Sequence, residues 1–152
     1  MALNANGLAA PSRGAPFTYL ELGCAWGLST LIHAAANPDS KFVGVDFNGE
    51  CIAAAGEIAR EAKLTNVEFL QADFADLPGR VMPQFDTIVM HGVWGWIDQA
   101  GRDHIVRILE RHLKPEGHAF ISYNAMPGNA PVDALRRLLQ VGYQLGAEPL
   151  FN

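Results

Sequence analysis

Two strand-like runs separated by one helix's length of chain constrain this sequence most. Tyr19-Leu-Glu-Leu-Gly-Cys-Ala-Trp-Gly27 is an apolar run that breaks into a glycine-containing turn, and Phe42-Val-Gly-Val-Asp46 is a second apolar run ending on a carboxylate. Between them Leu28, Leu31, Ile32 and Ala35 recur at helical spacing until Asn37-Pro38 stops them. That order builds one βαβ unit, with a backbone cradle at the first strand's tip and a hydroxyl-binding acid at the second's. A nucleoside-containing cofactor needs both.

The same alternation continues along the chain. Phe17 to Leu22 and Lys41 to Phe47 are the first two strands, and Asn48 can cap a helix with Ile52, Ala55, Ala59 and Ala62 on one face. Val67 to Gln71 is a third strand, and Leu77-Pro-Gly79 with Pro83 marks a loop. Phe85 to Met90 is apolar nearly throughout, as in a strand covered on both faces. Asp98 or Gly101 opens a helix carrying Ile105, Ile108, Leu109 and His112. Lys114-Pro-Glu-Gly117 reads as a turn, His118 to Tyr123 as a fifth strand, and Pro131 as the start of a last helix with Leu135, Leu138, Leu139 and Gly142 aligned. Residues 1–16, rich in Ala, Asn, Gly and Pro, form a lead-in, and 17–152 form one α/β domain. The expected fold is a doubly wound, Rossmann-like parallel sheet with right-handed crossovers.

Composition narrows the function classes. With 152 residues and 49% hydrophobic content, one domain with a substantial core is within reach. A net charge of -5 leaves no basic footprint, which argues against nucleic acid as the partner. Cys24 and Cys51 give neither a disulfide framework nor metal spacing, and no metal is expected. No apolar stretch approaches the roughly 18 residues of a membrane span, and no signal peptide is visible. A cytoplasmic protein without a membrane partner is the expectation.

Ligands of such sheets sit beyond the carboxyl ends of the strands. Those ends carry Glu21, Gly23, Cys24, Ala25 and Gly27; Asp46 and Phe47; Gln71-Ala-Asp-Phe74; His91-Gly-Val-Trp-Gly-Trp96; and Ser122-Tyr-Asn124. Two acids and several aromatics on one rim suit an adenosine. A pyrophosphate site favours Gly-x-Gly-x-x-Gly at a helix N-terminus. Here the spacing is Gly23-x-Ala25-x-Gly27, with Glu21 two residues ahead. A carboxylate there suits an amine-bearing cation better than a pyrophosphate, which moves the expectation from NAD towards S-adenosylmethionine.

On these residues the chain resembles the class I S-adenosylmethionine-dependent methyltransferases over roughly residues 17 to 145. Glu21-Leu-Gly-Cys-Ala-Trp-Gly27 is similar to their first motif, Val45-Asp46 to the acid that takes the ribose hydroxyls, and Ala72-Asp73-Phe74 to the segment that reads adenine. Leu113-Lys-Pro-Glu-Gly117 is another frequent marker of the family. His91-Gly-Val-Trp-Gly-Trp96 and Ser122-Tyr-Asn-Ala-Met-Pro-Gly128 further resemble a bacterial type in which this domain precedes a methyltransferase regulatory domain. The resemblance implies cofactor contacts at Glu21, Gly23, Cys24, Ala25, Gly27, Asp46, Phe47, Asp73, Phe74 and His91.

Two departures stand out. Ala25 replaces the usual middle glycine, and the family's C-terminal strand pair is missing before Asn152, so the domain is expected to be C-terminally incomplete. An exposed edge on strand five would then invite pairing with a second copy.

Methyl transfer is a displacement at an activated methyl, so the enzyme chiefly aligns the acceptor and excludes water. A base is needed only for a protonated acceptor, and His91 is the candidate; its bland alternative is a backbone contact to the cofactor. Trp94, Trp96, Tyr123 and Asn124 are candidates for the acceptor pocket, with loop anchoring and turn formation as the competing roles. His33, His104, His112 and His118 read as packed or exposed side chains without a role. Three functions stay open: methyl transfer to a small-molecule or protein acceptor, a non-catalytic cofactor-binding or regulatory module, and a NAD-dependent oxidoreductase, disfavoured by the glycine spacing.

Overall fold

A computed structural model of the chain describes residues 14–144. The expected lead-in falls mostly outside them, as do residues 145–152. Two compact units meet in sequence at Ser122 and Tyr123.

The first unit is the sheet. β1 (Thr18–Leu22), β2 (Lys41–Asp46), β3 (Val67–Gln71), β4 (Phe85–Met90) and β5 (Leu113–Ile121) lie in the order β3-β2-β1-β4-β5. Every neighbouring pair is parallel. β1 is central because its side chains are apolar on both faces: Tyr19, Leu20 and Leu22 are all buried. Helices α1 (Leu28–Ala36), α2 (Gly49–Glu61) and α3 (Gln99–His112) make the crossovers.

One core layer gathers Leu20, Leu22, Val45, Phe85, Ile88 and Met90 beneath Ile105 and Ile108 of α3. Tyr19, Phe42 and Ala34 form the other, where Phe17 meets Phe42 edge-on at 5.5 Å. His112 belongs to this structural set, buried with Nε2 3.2 Å from the Leu77 carbonyl.

Local chemistry sets the helix ends. Asn48 Oδ1 accepts the Glu50 and Cys51 N–H groups at the start of α2, and Asp98 Oδ1 accepts the Gly101 N–H at the start of α3. At the far end of α1, Asn66 Nδ2 lies 3.0 Å from the carbonyls of Ala34, Asn37 and Ser40 and ties off the turn there. At the opposite rim from the carboxyl ends, Asp86 Oδ2 accepts three bonds: from the Thr18 N–H at 2.7 Å, the Thr18 hydroxyl at 2.8 Å and Lys114 Nζ at 2.8 Å.

The fifth strand departs from expectation. Lys114-Pro-Glu-Gly117 is not a turn ahead of the strand but a bulge inside it. Phe85 pairs with Leu113 and Thr87 with His118, so two steps along β4 match five along β5. The reason is that α3 runs straight to His112 and Leu113 is already extended (φ -85°, ψ 134°), so pairing begins before Pro115 interrupts it. Lys114 fastens the bulge by its bond to Asp86. Strand pairing ends at Ile121, two residues short of Tyr123.

The second unit holds α4 (Ala130–Gln144), with Asp133 and Arg137 paired at 2.9 Å one turn apart.

Candidate functional site

The turn after β1 is built around left-handed backbone. Gly23, Ala25 and Gly27 have φ of 74°, 46° and 70°. Glycine reaches that region without a steric penalty, whereas alanine does so against one of about 1 kcal/mol. Bulk forbids a side chain too: a Cβ on Gly27 would lie 2.6 Å from Phe69 and 2.9 Å from the Ala55 Cβ. The turn stays close to the sheet because the Gly23 and Cys24 N–H groups both donate to the Val45 carbonyl, at 2.8 and 3.0 Å.

Asp46 organises the next layer. It is buried at the end of β2, where Oδ2 accepts the Ala25 N–H and Oδ1 the Asn48 N–H, each at 2.9 Å. Its carboxylate therefore joins the first loop to the cap of α2 in one fixed orientation. Each oxygen keeps a further lone pair, so the same group can accept hydroxyl donors from a ligand.

A cleft of about 570 Å³ opens above these loops, a size suited to a small cofactor. Gly23, Asp46 and Phe47 contribute from the first two strands, and Ala72, Asp73, Phe74 and Ala75 from the third. Gly92, Val93, Trp96 and Ile97 follow β4, and Asp98, Ala100, Gly101 and His104 belong to the start of α3. The cleft sits where the strand order reverses, between β1 and β4. Phe47 is 74% exposed, a flat apolar face left at the rim. Asp73 is shaped by its own loop, since Oδ1 accepts the Ala75 N–H at 2.8 Å.

The candidate residues thus divide. Gly23, Asp46, Phe47, Asp73, Phe74 and Trp96 come together in the cleft wall. Glu21, Cys24, Ala25 and Gly27 shape the turn beneath it without lining it. Glu21 is buried, and its Oε2 accepts the Thr30 hydroxyl, which pins α1 to β1. Burial, followed by the Asp46 and Glu21 charges, pushes the Cys24 thiol up to about 12, so it is protonated and unreactive at neutral pH. Burial and then Glu21 also raise the neighbouring Tyr19 hydroxyl.

His91 stands at the end of β4 but outside the cleft lining. Its Nδ1 is 3.2 Å from Ser122 Oγ, which also accepts the Gly92 N–H at 2.8 Å, and its ring faces Phe120 at 6.3 Å. Trp94 packs on the core with the Arg102 guanidinium over its ring at 5.6 Å. Tyr123 and Asn124 are exposed and belong to the second unit.

The α3 contribution was not expected from sequence. A signal was present: Ala100 and Gly101 stand four and three residues before His104, so one helical face offers two small residues and then an imidazole. Their partnership with β4 depends on where the helix crosses the sheet, which residue spacing alone does not state. Among the described residues, no three His, Cys, Asp or Glu side chains are grouped to hold a metal, and no helix is long and apolar enough to cross a membrane.

Residues 15–140 match a family described as a methyltransferase domain. An uncharacterized protein of Synechocystis sp. is 34% identical over 145 residues, covering 95% of this chain and 29% of that protein. Another, from Rickettsia prowazekii, is 38% identical over 120 residues, covering 79% of this chain and 22% of its own. The chain therefore spans less than a third of the length of either. Among solved structures, PKMT2 from Rickettsia typhi in complex with AdoHcy superposes with a TM-score of 0.78 at 33% identity, over 89% of this chain and 26% of that one.

Proposed function

The chain belongs to the class I S-adenosylmethionine-dependent methyltransferases, and from that premise we propose that its cleft holds S-adenosylmethionine for methyl transfer to a small-molecule or protein acceptor. Asp46 carries this reading. A buried carboxylate fixed by two backbone N–H groups, at the end of the second strand and lining the cleft, can accept the two hydroxyls of a ribose and supports this reading. Around it, Phe47 and Val93 supply apolar faces for a purine, and Asp73 supplies an acceptor for its amino group. The residues present fit the cofactor. Gly23 leaves the cradle open where a Cβ would come within 2.5 Å of the Val93 side chain.

The bound cofactor supplies a sulfonium methyl that is already activated for displacement. What the chain must add is placement. The turn from Gly23 to Gly27 is locked to β2 through Val45 and Asp46, so the methionine end meets a preorganised backbone rather than a mobile loop. Glu21 supports that turn from below, its carboxylate held by the Thr30 hydroxyl. Trp96 extends the wall beyond the purine and is the acceptor-side candidate within the cleft. His91, with Ser122 on its Nδ1, is the base for an acceptor that must lose a proton.

Calorimetry with S-adenosylmethionine, S-adenosylhomocysteine and NAD tests the cofactor assignment. Micromolar binding of the first two and none of NAD is expected, and the reverse order would overturn it. Methyl release over an acceptor panel then separates an enzyme from a non-catalytic cofactor-binding module. The Ala25 geometry supports cofactor binding: despite its methyl group, the residue takes the left-handed conformation and keeps its N–H on Asp46.

A further inference from the structure

We propose that His104 is a purine-specificity residue, its Nε2–H donating to N7 of the adenine ring. The proposal rests on the cofactor reading above and deepens it. The carboxylates of Asp46 and Asp73 are acceptors and can serve only the donors of an adenosine, its hydroxyls and its amino group. The ring nitrogens are acceptors themselves and need N–H groups. Among the described lining residues, Trp96 and His104 alone bring side-chain N–H donors. Trp96 is 71% exposed on a loop. His104 stands on α3, whose adjoining Ile105 and Ile108 are fully buried, so its backbone is fixed.

The ring's orientation supplies the chemistry. His104 Nδ1 is buried and has no hydrogen-bond partner. A proton on Nδ1 would leave a buried donor unpaired, and such donors are rarer than unpaired acceptors. The proton therefore belongs on Nε2, and Nε2–H is the polar group that His104 offers the cleft. Ala100 and Gly101 keep the approach open, since neither has a side chain beyond Cβ. With the amino group assigned to Asp73, the ring acceptors flanking it are N1 and N7, and N7 is the one assigned to the donor arriving from α3.

The experiment uses S-adenosylhomocysteine and its 7-deaza analogue, in which N7 becomes a C–H. Wild-type protein should bind the analogue about tenfold more weakly, the loss expected for one neutral hydrogen bond. His104→Leu should bind both ligands alike, near the wild-type affinity for the analogue. His104→Gln should recover part of the difference, because its amide N–H reaches to about where Nε2–H stands. Equal affinity of the wild-type protein for the two ligands overturns the proposal while leaving the cofactor reading intact. Binding of neither ligand overturns the cofactor reading, and the proposal falls with it. Should the Leu variant fail to fold, the wild-type and Gln ratios still decide the matter.

Discussion

Asp46 Oδ2 accepts the N–H of Ala25 at 2.9 Å, and Ala25 makes that bond from a left-handed backbone with φ of 46°. A carboxylate at one strand's end thus holds the turn that follows its neighbour. The cleft-lining acid and the loop geometry are one arrangement, so a change at either residue is felt at both.

Replacing Asp46 tests this coupling. Asp46→Ala should weaken S-adenosylhomocysteine binding by at least about 100-fold, through loss of charge-assisted hydrogen bonds of about 1.5–3 kcal/mol each. It should also lower stability by about 1–3 kcal/mol, because the Ala25 and Asn48 N–H groups lose their acceptor. Asp46→Asn keeps one acceptor oxygen and should fall between. Calorimetry and urea unfolding read the two effects separately, and unchanged affinity in Asp46→Ala would count against the site.

Position 25 separates conformation from composition. In Ala25→Gly, relief of about 1 kcal/mol of left-handed strain is offset by about 0.4–1 kcal/mol of extra unfolded-state entropy, so stability should rise by no more than about 0.6 kcal/mol. Ala25→Val places a β-branched residue at positive φ and should lower stability by about 1–3 kcal/mol. Chemical denaturation midpoints at constant slope measure both. A Val variant as stable as the wild type would mean that the turn relaxes freely.

Gly27 answers to both backbone and packing. Gly27→Ala adds left-handed strain to a collision with Phe69 and Ala55, and should cost about 2–4 kcal/mol. Trimming the obstacle with Phe69→Leu in the same chain should return part of that loss. A double-mutant cycle with no coupling between the two positions would refute the packing share of the effect.

Asp86 sets an acid limit. Burial raises its carboxyl, but the Lys114 ammonium and the Thr18 N–H and hydroxyl outweigh this and hold it below its ordinary value of 3.8. A carboxyl depressed in the folded state stabilises the fold above its unfolded value, and the contribution disappears as pH falls through the folded one. Asp86→Asn should therefore lower stability by about 1–2 kcal/mol at pH 7, a figure reduced for the pair's partial exposure, with the gap to wild type closing below about pH 4. Melting temperatures across pH 2–7 give the comparison. A gap independent of pH would show that the carboxylate's charge is not what matters.

His91 separates binding from chemistry. Because its side chain lies outside the cleft lining, His91→Ala should bind S-adenosylhomocysteine within about twofold of wild type. Turnover on a protonated acceptor should fall by about 100-fold or more, the usual worth of a general base. Full turnover in that variant would remove the base role.

Much of the fold was legible because local rules wrote it. Among the described residues, four of the five strands and all four α-helices lie where apolar spacing, Asn48, Asp98 and Pro38 place them, with ends shifted by a residue or so. The fifth strand was not, because Lys114-Pro-Glu-Gly117 has the composition of a turn. Only the pairing of Leu113 with Phe85 and the bond from Lys114 to Asp86 draw it into the sheet.

At the cleft, sequence alone determined which residues end the strands: Gly23, Asp46, Asp73 and the segment after His91. Periodicity plus glycine placement suffices for that, since a parallel strand must finish where its apolar run does. Tertiary structure decided which of those residues share a wall. Glu21 turned inward to Thr30, His91 turned towards Ser122, and the cleft gained Ala100, Gly101 and His104 instead. The physical reason lies in the packing of α3 on the sheet, which gathers Ile105 and Ile108 with Ile88 and Met90 in one buried cluster that no short window of residues contains. The opening pair of motifs specified a cradle and an acid, and the fold supplied the wall that faces them.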